Sequence, residues 1–329
     1  MKSSMKKYIE AISVLQYVLT FLFMGIFFLA LLLYLMFTSF WIVTVLYSLW
    51  YFFDYGTSER GGRRSAWVRR WTVWKHYKDY FPLKMIKTAE LRPDRNYIFG
   101  CHPHGIMCFG PSCNFCTDAN NFLEIFPGIQ PTLAILSGLF RFPVYRDYLM
   151  SLGICPVSKV SLDYLLSQMG TGNAVMIIIG GAAESLWCAP GEHVLTLRGR
   201  KGFVRLALEH GADLVPVYTF GETDLYRQVK FKDGSWMKTL QLYFQKMVGF
   251  APCLFLGRGI FSSESWGLTP FNKPVTTVVG KPIQVPCIPV PSCEEVDKYH
   301  QLYIEELQNL FDRHKVSCGL SESQQLIIL

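Results

Sequence analysis

The chain has 329 residues, is 50% hydrophobic and 15% aromatic, carries charge on only 17% of its residues and has a formal net charge of +7. Ordinary soluble domains are about one quarter charged, so this composition excludes intrinsic disorder, collagen-like repeats and coiled coils and is low in charge for a freely soluble enzyme. The length allows one large domain or two small ones, with ample chain for a core.

The apolar excess is local. No Asp, Glu, Lys, Arg or His occurs from position 11 to position 53, a run of 43 residues bracketed by Glu10 and Asp54. At about 1.5 Å per helical residue this run reaches roughly twice the ~30 Å hydrocarbon core of a bilayer, more than one helix can use. The weak break at Thr38-Ser39 predicts one span near 14–37 and a shorter one near 40–53, a transmembrane or re-entrant hairpin. Lys2, Lys6 and Lys7 precede the run, and Arg60, Arg63, Arg64, Arg69 and Arg70 follow it. The positive-inside bias therefore places both ends in the cytosol. The first hundred residues hold 14 Lys/Arg against 6 Asp/Glu and the remainder 18 against 19, so the net charge is a juxtamembrane collar suited to anionic lipid headgroups. No RNA-binding, zinc-finger or basic-helix pattern accompanies the collar, and nucleic acid is not an expected partner. The chain divides into a membrane hairpin at 1–55 and a cytosol-facing body at 56–329.

In the body, 97–99, 174–179, 214–218 and 275–279 read as strands. Between them, Phe203, Leu206, Ala207 and His210 share one face of a helix that Gly211 stops. Ser292-Cys293-Glu294-Glu295 is a capping box opening a terminal helix with Val296, Tyr299, Tyr303, Leu307, Leu310 and Phe311 on its inner face. This alternation predicts an α/β fold with a covered mixed sheet. Ten cysteines in a chain this long do not make a disulfide scaffold. Cys113 and Cys116 form a single C-x-x-C without a second pair, so no metal site is expected there. No Asn-x-Ser/Thr sequon occurs, which fits a cytosolic body.

The candidate chemistry lies at strand ends. His102-Pro103-His104-Gly105 follows the strand at 97–100, which sets two imidazoles at the rim of the sheet, where α/β proteins hold ligands. Ile179-Gly180-Gly181-Ala182-Ala183-Glu184 repeats the pattern of strand, glycine turn and polar residue. A carboxylate so close to a buried strand is costly unless paired, and either histidine is a natural partner; capping of the next helix is the plainer role. Arg200, Lys201 and Arg205 crowd the start of the 203–210 helix, an arrangement unfavourable for the helix itself and suited to a phosphate. Arg146 and Asp147 read as a structural ion pair.

The phrases YIFGCHPHG at 97–105, FPVYRDYLMSLGICPVS at 142–158, IGGAAE at 179–184 and RKGFVRLALEHGADLVPVYTFGE at 200–222 resemble the type-2 diacylglycerol acyltransferase family, over nearly the whole chain. QYVLTFLFMG at 16–25 and PGEHVLTL at 190–197 are most similar to its monoacylglycerol acyltransferase members. The resemblance implies a glycerolipid-acyltransferase-like fold and direct transfer from acyl-CoA, a co-substrate rather than a cofactor, to monoacylglycerol. Diacylglycerol and long-chain alcohols are the alternative acceptors. It also implies membrane lipids as partners, an endoplasmic reticulum membrane or lipid-droplet location, and possible self-association.

An activated thioester needs only a base for the attacking hydroxyl, and no Gly-x-Ser-x-Gly elbow is present. His104 is the expected base, with His102 shaping the turn and Glu184 holding the imidazole. Backbone amides of Gly105, Gly180 and Gly181 are candidate oxyanion donors. Arg200, Lys201 and Arg205 are assigned to the CoA phosphates. Related glycerolipid acyltransferases carry a His-x4-Asp motif; here Met107 and Phe109 occupy the fifth positions after His102 and His104. A His-x-His metal hydrolase and a non-catalytic lipid-binding protein are the readings from other classes.

Overall fold

The computed structural model describes residues 2–232, 234–250, 252–262 and 265–329. The chain opens with helix α1 (Lys2–Leu19), passes through a π-helical turn (Thr20–Met24) and continues as α2 (Gly25–Leu35). Five residues later α3 (Trp41–Asp54) runs back. The reversal falls at the expected Thr38-Ser39 break, where Thr38 Oγ1 donates to Leu35 O and so competes with the helical ladder. Residues Ser4–Leu35 form one stretch long and apolar enough to cross a membrane. α3 has only 14 residues, about 21 Å of helix, and is short of a full span.

The hairpin is joined to the body at both ends. Ala11, Val14 and Val18 of α1 are buried against Tyr77, Tyr80 and Phe81, at the end of α4 (Thr72–Tyr80) and just beyond it. At the other end Asp54 pairs with Arg63 at 2.7 Å and with buried Arg146 at 2.9 Å. Tyr47 accepts from the Val144 amide at 2.7 Å. Arg146 and Asp147 therefore do not pair with each other as the sequence suggested; Arg146 reaches Asp54 and Asp147 reaches Arg63. The basic collar is likewise divided. Arg69 lies inside the protein, bonded to Asp118 and to the carbonyls of Phe115 and Leu152, and contributes nothing to an external field.

A seven-stranded sheet carries the site. Its strands are β1 (Lys84–Lys87), β2 (Tyr97–His102), β3 (Gln130–Ile135), β4 (Ile154–Pro156), β5 (Asn173–Ile178), β6 (Asp213–Phe220) and β7 (Thr276–Val279). Their order across the sheet is β1-β7-β6-β2-β5-β3-β4, parallel at every pairing except β7 with β6. The four strands read from sequence are present; β1, β3 and β4 are additions. Alternate side chains of the central strands feed two cores: Ile98, Leu214 and Tyr218 on one face, Phe99, Val215 and Val217 on the other.

The helices flanking the sheet are α5 (Phe109–Cys116), α6 (Tyr145–Ser151), α7 (Lys159–Ser167), the short α8 (Gly181–Ser185), α9 (Gly202–His210), α10 (Trp236–Val248) and α11 (Cys293–His314). α9 ends where Gly211 turns left-handed, as its sequence predicts. The capping box at Ser292 and Glu295 opens α11, which buries Val296, Tyr303, Leu307, Leu310 and Phe311 against the first core. Each such side chain gains about 1.5–3 kcal/mol on burial.

Candidate active site

Strands β6, β2 and β5 are adjacent and parallel, so their C-terminal ends share one edge of the sheet. Register pairs His102 with Tyr218 and Cys101 with both Ile178 and Val217. The turns leaving those ends, 102–110, 179–184 and 221–222, therefore stand side by side. All three strands are buried on both faces between the two cores, which holds their ends together along this edge.

The two histidines of the first turn have opposite surroundings. His102 is fully buried. Tyr303 Oη donates to Gly100 O at 3.0 Å, so its oxygen accepts from His102 Nε2–H, also at 3.0 Å. That contact fixes the tautomer and leaves Nδ1 without a partner among the described residues. Burial alone drives the His102 pKa down to about 3. His104 is partly buried and lines an apolar cavity of about 490 Å³. Its Nδ1 lies 3.0 Å from Gly105 O; a carbonyl only accepts, so Nδ1 carries the proton and Nε2 keeps its lone pair. Burial lowers the His104 pKa as well, which keeps the ring neutral.

Glu184 is buried, but it does not touch either imidazole as the sequence reading expected. Its Oε1 accepts from the His104 backbone amide at 2.7 Å and its Oε2 from the Thr196 amide at 2.9 Å. The reason is reach: α8 begins directly beyond the β5 end, so the carboxylate arrives at the main chain of the neighbouring turn. Gly180 permits the approach, because a Cβ there would sit 2.0 Å from Glu184 Oε2. Desolvation pushes the Glu184 carboxyl up to about 7, against the opposing pull of the two amides and Arg200.

A second carboxylate performs the same service and was not singled out from sequence. Glu222 is buried, with Oε1 accepting from Phe109 N at 2.6 Å and Oε2 from Gly110 N at 2.8 Å, two otherwise orphaned amides at the start of α5. Burial raises its pKa to about 7 too. Gly105, at φ +61, leaves the space that Glu222 fills; a Cβ there would lie 2.7 Å from Glu222 Cγ. The signal was available, because Phe220-Gly221-Glu222 repeats the order of strand, glycine and glutamate seen at 178–184. Tyr303 is a further site residue, which the sequence places only on the inner face of the terminal helix.

Of the three glycines considered as oxyanion donors, Gly181 lines the cavity, while Gly105 and Gly180 make room for the two glutamates. Of the three basic residues, Arg200 lines the cavity. Lys201 pairs with Asp297 at 2.6 Å on the surface, and Arg205 donates to Pro291 O at 3.2 Å. Cys108 lies beside His104, its Sγ donating to His104 O at 3.1 Å; burial raises its pKa and holds it as a thiol. The cavity also takes Tyr17, Thr20, Phe21 and Leu22 from the N-terminal helix. Tyr17 Oη donates to Met107 O at 2.9 Å and bonds Ser112 Oγ at 2.8 Å, which ties the N-terminal apolar helix to the histidine turn.

The Diacylglycerol acyltransferase family profile matches residues 33–329. This chain belongs to that family. It is 58% identical to the Danio rerio protein "Diacylglycerol O-acyltransferase 2", over 99% of this chain and 91% of that one. It is 56% identical to the Homo sapiens protein "2-acylglycerol O-acyltransferase 3", over 100% of this chain and 96% of that one. The solved 1-acyl-sn-glycerophosphate acyltransferase of Thermotoga maritima superposes on 82% of this chain and 97% of its own at a TM-score of 0.37 and 15% identity, too loosely to support structural argument.

Proposed function

We propose that this member of the family is an acyl-CoA-dependent O-acyltransferase that esterifies monoacylglycerol to diacylglycerol, with His104 as general base. The observation that carries this reading is an imidazole held through Nδ1 by Gly105 O on the wall of a cavity lined by apolar residues from both the sheet edge and the N-terminal apolar helix. His104 Nε2 takes the proton of the acceptor hydroxyl as its oxygen attacks the thioester carbon. The tetrahedral intermediate then collapses, the carbon–sulfur bond breaks, and the imidazolium returns its proton to the departing CoA thiolate. Gly181, which lies on the cavity wall, supplies the oxyanion donor in this reading. Arg200 meets the CoA phosphates, with Lys201 and Arg205 contributing less because both already have partners. Cys108, held as a thiol and spent on a carbonyl, fits direct transfer better than an acyl-enzyme.

Both ends of the hairpin are fastened to one body, which favours a re-entrant hairpin with both termini on the cytosolic face of the endoplasmic reticulum. Diacylglycerol is the second acceptor, favoured by the like identities to relatives named for each activity. The test is to give purified membranes labelled oleoyl-CoA with monoacylglycerol, diacylglycerol and a long-chain alcohol and to identify the products. Diacylglycerol as the main labelled product supports the reading; wax ester, or label released only as free fatty acid, overturns it.

A further inference from the structure

Helix α10, Trp236–Val248, is built inside out. Its inward row is polar: Lys238 is 7% exposed and Gln241 5%, with Gln241 Nε2 donating to Pro252 O at 2.9 Å and Lys238 Nζ 4.8 Å from the Trp187 ring centroid. Its outward face is apolar and aromatic, with Trp236 74% and Tyr243 62% exposed, beside exposed Leu240, Phe244 and Met247. A helix in water hides such residues and shows its amides and amines, so this polarity is stable where the surrounding medium is hydrocarbon rather than water. Trp and Tyr at this density are residues of the membrane–water boundary.

The position of the helix selects the partner. Gly249 turns the chain at its end, and Phe250 then meets Phe21 of the N-terminal membrane stretch, ring centroids 6.3 Å apart. The apolar face of α10 is thus continuous with the segment that enters the membrane, and Gly249, Phe250 and Phe255 line the same cavity as His104. We propose that α10 is a membrane-surface helix: its Trp236, Leu240, Tyr243 and Met247 face lies among the lipids, beside the wall of the cavity. A lipid acceptor then reaches the cavity laterally from the membrane side, at the wall formed by Phe21 and Phe250; this last step rests on the acyltransferase reading, whereas the docking does not.

The test uses the full chain in phosphatidylcholine nanodiscs, with a photoreactive benzoyl-phenylalanine at position 240, 243 or 247 and, as the outward control, at position 308 of α11. Lipid adducts at the three α10 positions and none at 308 are expected. Adducts to a second copy of the chain, or no adduct on α10, overturn the proposal. A second variant, Leu240→Glu with Tyr243→Glu, is expected to lose the adduct at 247 while the hairpin keeps the protein in the disc; an undiminished adduct there also counts against it. Because the adduct is read without turnover, an inactive preparation that still labels α10 refutes the proposed reaction and leaves the docking standing.

Discussion

One turn presents two histidines to two different sides of the molecule, and the sides differ in what they are built to do. Behind the turn, α11 follows the rule of soluble proteins, polar outside and apolar inside, and uses Tyr303 to hold His102 and Gly100 in a dry core. In front of it, α1, α2 and α10 turn apolar residues outward, and Tyr17 of α1, the π-helical turn after it, and Gln245 of α10 with Gly249 and Phe250 just beyond it wall the cavity into which His104 is set. The lesson is that spacing in the H-P-H-G motif does not distinguish the histidines. Which element packs on each one does: the contact with Tyr303 sets the His102 tautomer, and burial away from the cavity removes His102 from base catalysis.

The contrast breaks most sharply at His104. Replacing it with Ala is expected to lower acyl transfer by about 10²–10⁴-fold, the usual contribution of a general base, with membrane extraction and melting temperature unchanged. Next come the carboxylates. A glutamine offers one acceptor oxygen where Glu184 and Glu222 each satisfy two amides, so either Glu→Gln change costs about 1–3 kcal/mol of stability. The displaced turn slows transfer by up to about a hundredfold, the effect of misplacing a catalytic group by about 1 Å. Thermal melting and single-turnover rates measure the two losses.

The same carboxylates set a pH dependence. Their pKa values rise from 4.5 to about 7 on folding, so the folded state binds protons more tightly than the unfolded chain. Their contribution to stability is therefore complete below about pH 4.5 and is lost as the pH rises through about 7. Transfer runs the other way, because each protonated carboxyl loses one acceptor for the amides that fix the turn. Melting temperature is expected to fall while turnover rises across this window, and Glu222→Gln is expected to flatten both curves.

On the buttressed side the effects are smaller. Tyr303→Phe removes the hydroxyl that joins His102 to Gly100 and is expected to cost about 0.5–1.5 kcal/mol with transfer reduced far less than in the His104 variant. The smallest effect belongs to Cys108→Ser, which keeps a donor to His104 O. Near-normal turnover is expected by the same assay, and loss on the scale of His104→Ala would instead assign the sulfur a covalent role.

Much of this arrangement was legible in the sequence because local chemistry dictates it. The uncharged run with its Thr38-Ser39 break, Gly211 after α9 and the Ser292 capping box each act within a few residues, and each folds as read. What depended on long-range packing was read less well. Glu184 looked like an imidazole partner because sequence shows distance along the chain and not reach across a sheet edge. Arg69 looked like part of an external collar, yet it is enclosed by segments about fifty and eighty residues away. Glu222 was legible by analogy with Glu184. The inverted polarity of α10 was not, since an amphipathic pattern does not say which face is turned toward the protein.

The central claim, that the side facing the cavity holds the base, is tested most directly by single-turnover oleoyl transfer to monoacylglycerol in nanodiscs. His104→Ala and His102→Ala are compared at matched folded concentration. Loss of transfer confined largely to the His104 variant is the predicted result. Loss in the His102 variant with His104→Ala near the native rate would contradict the account.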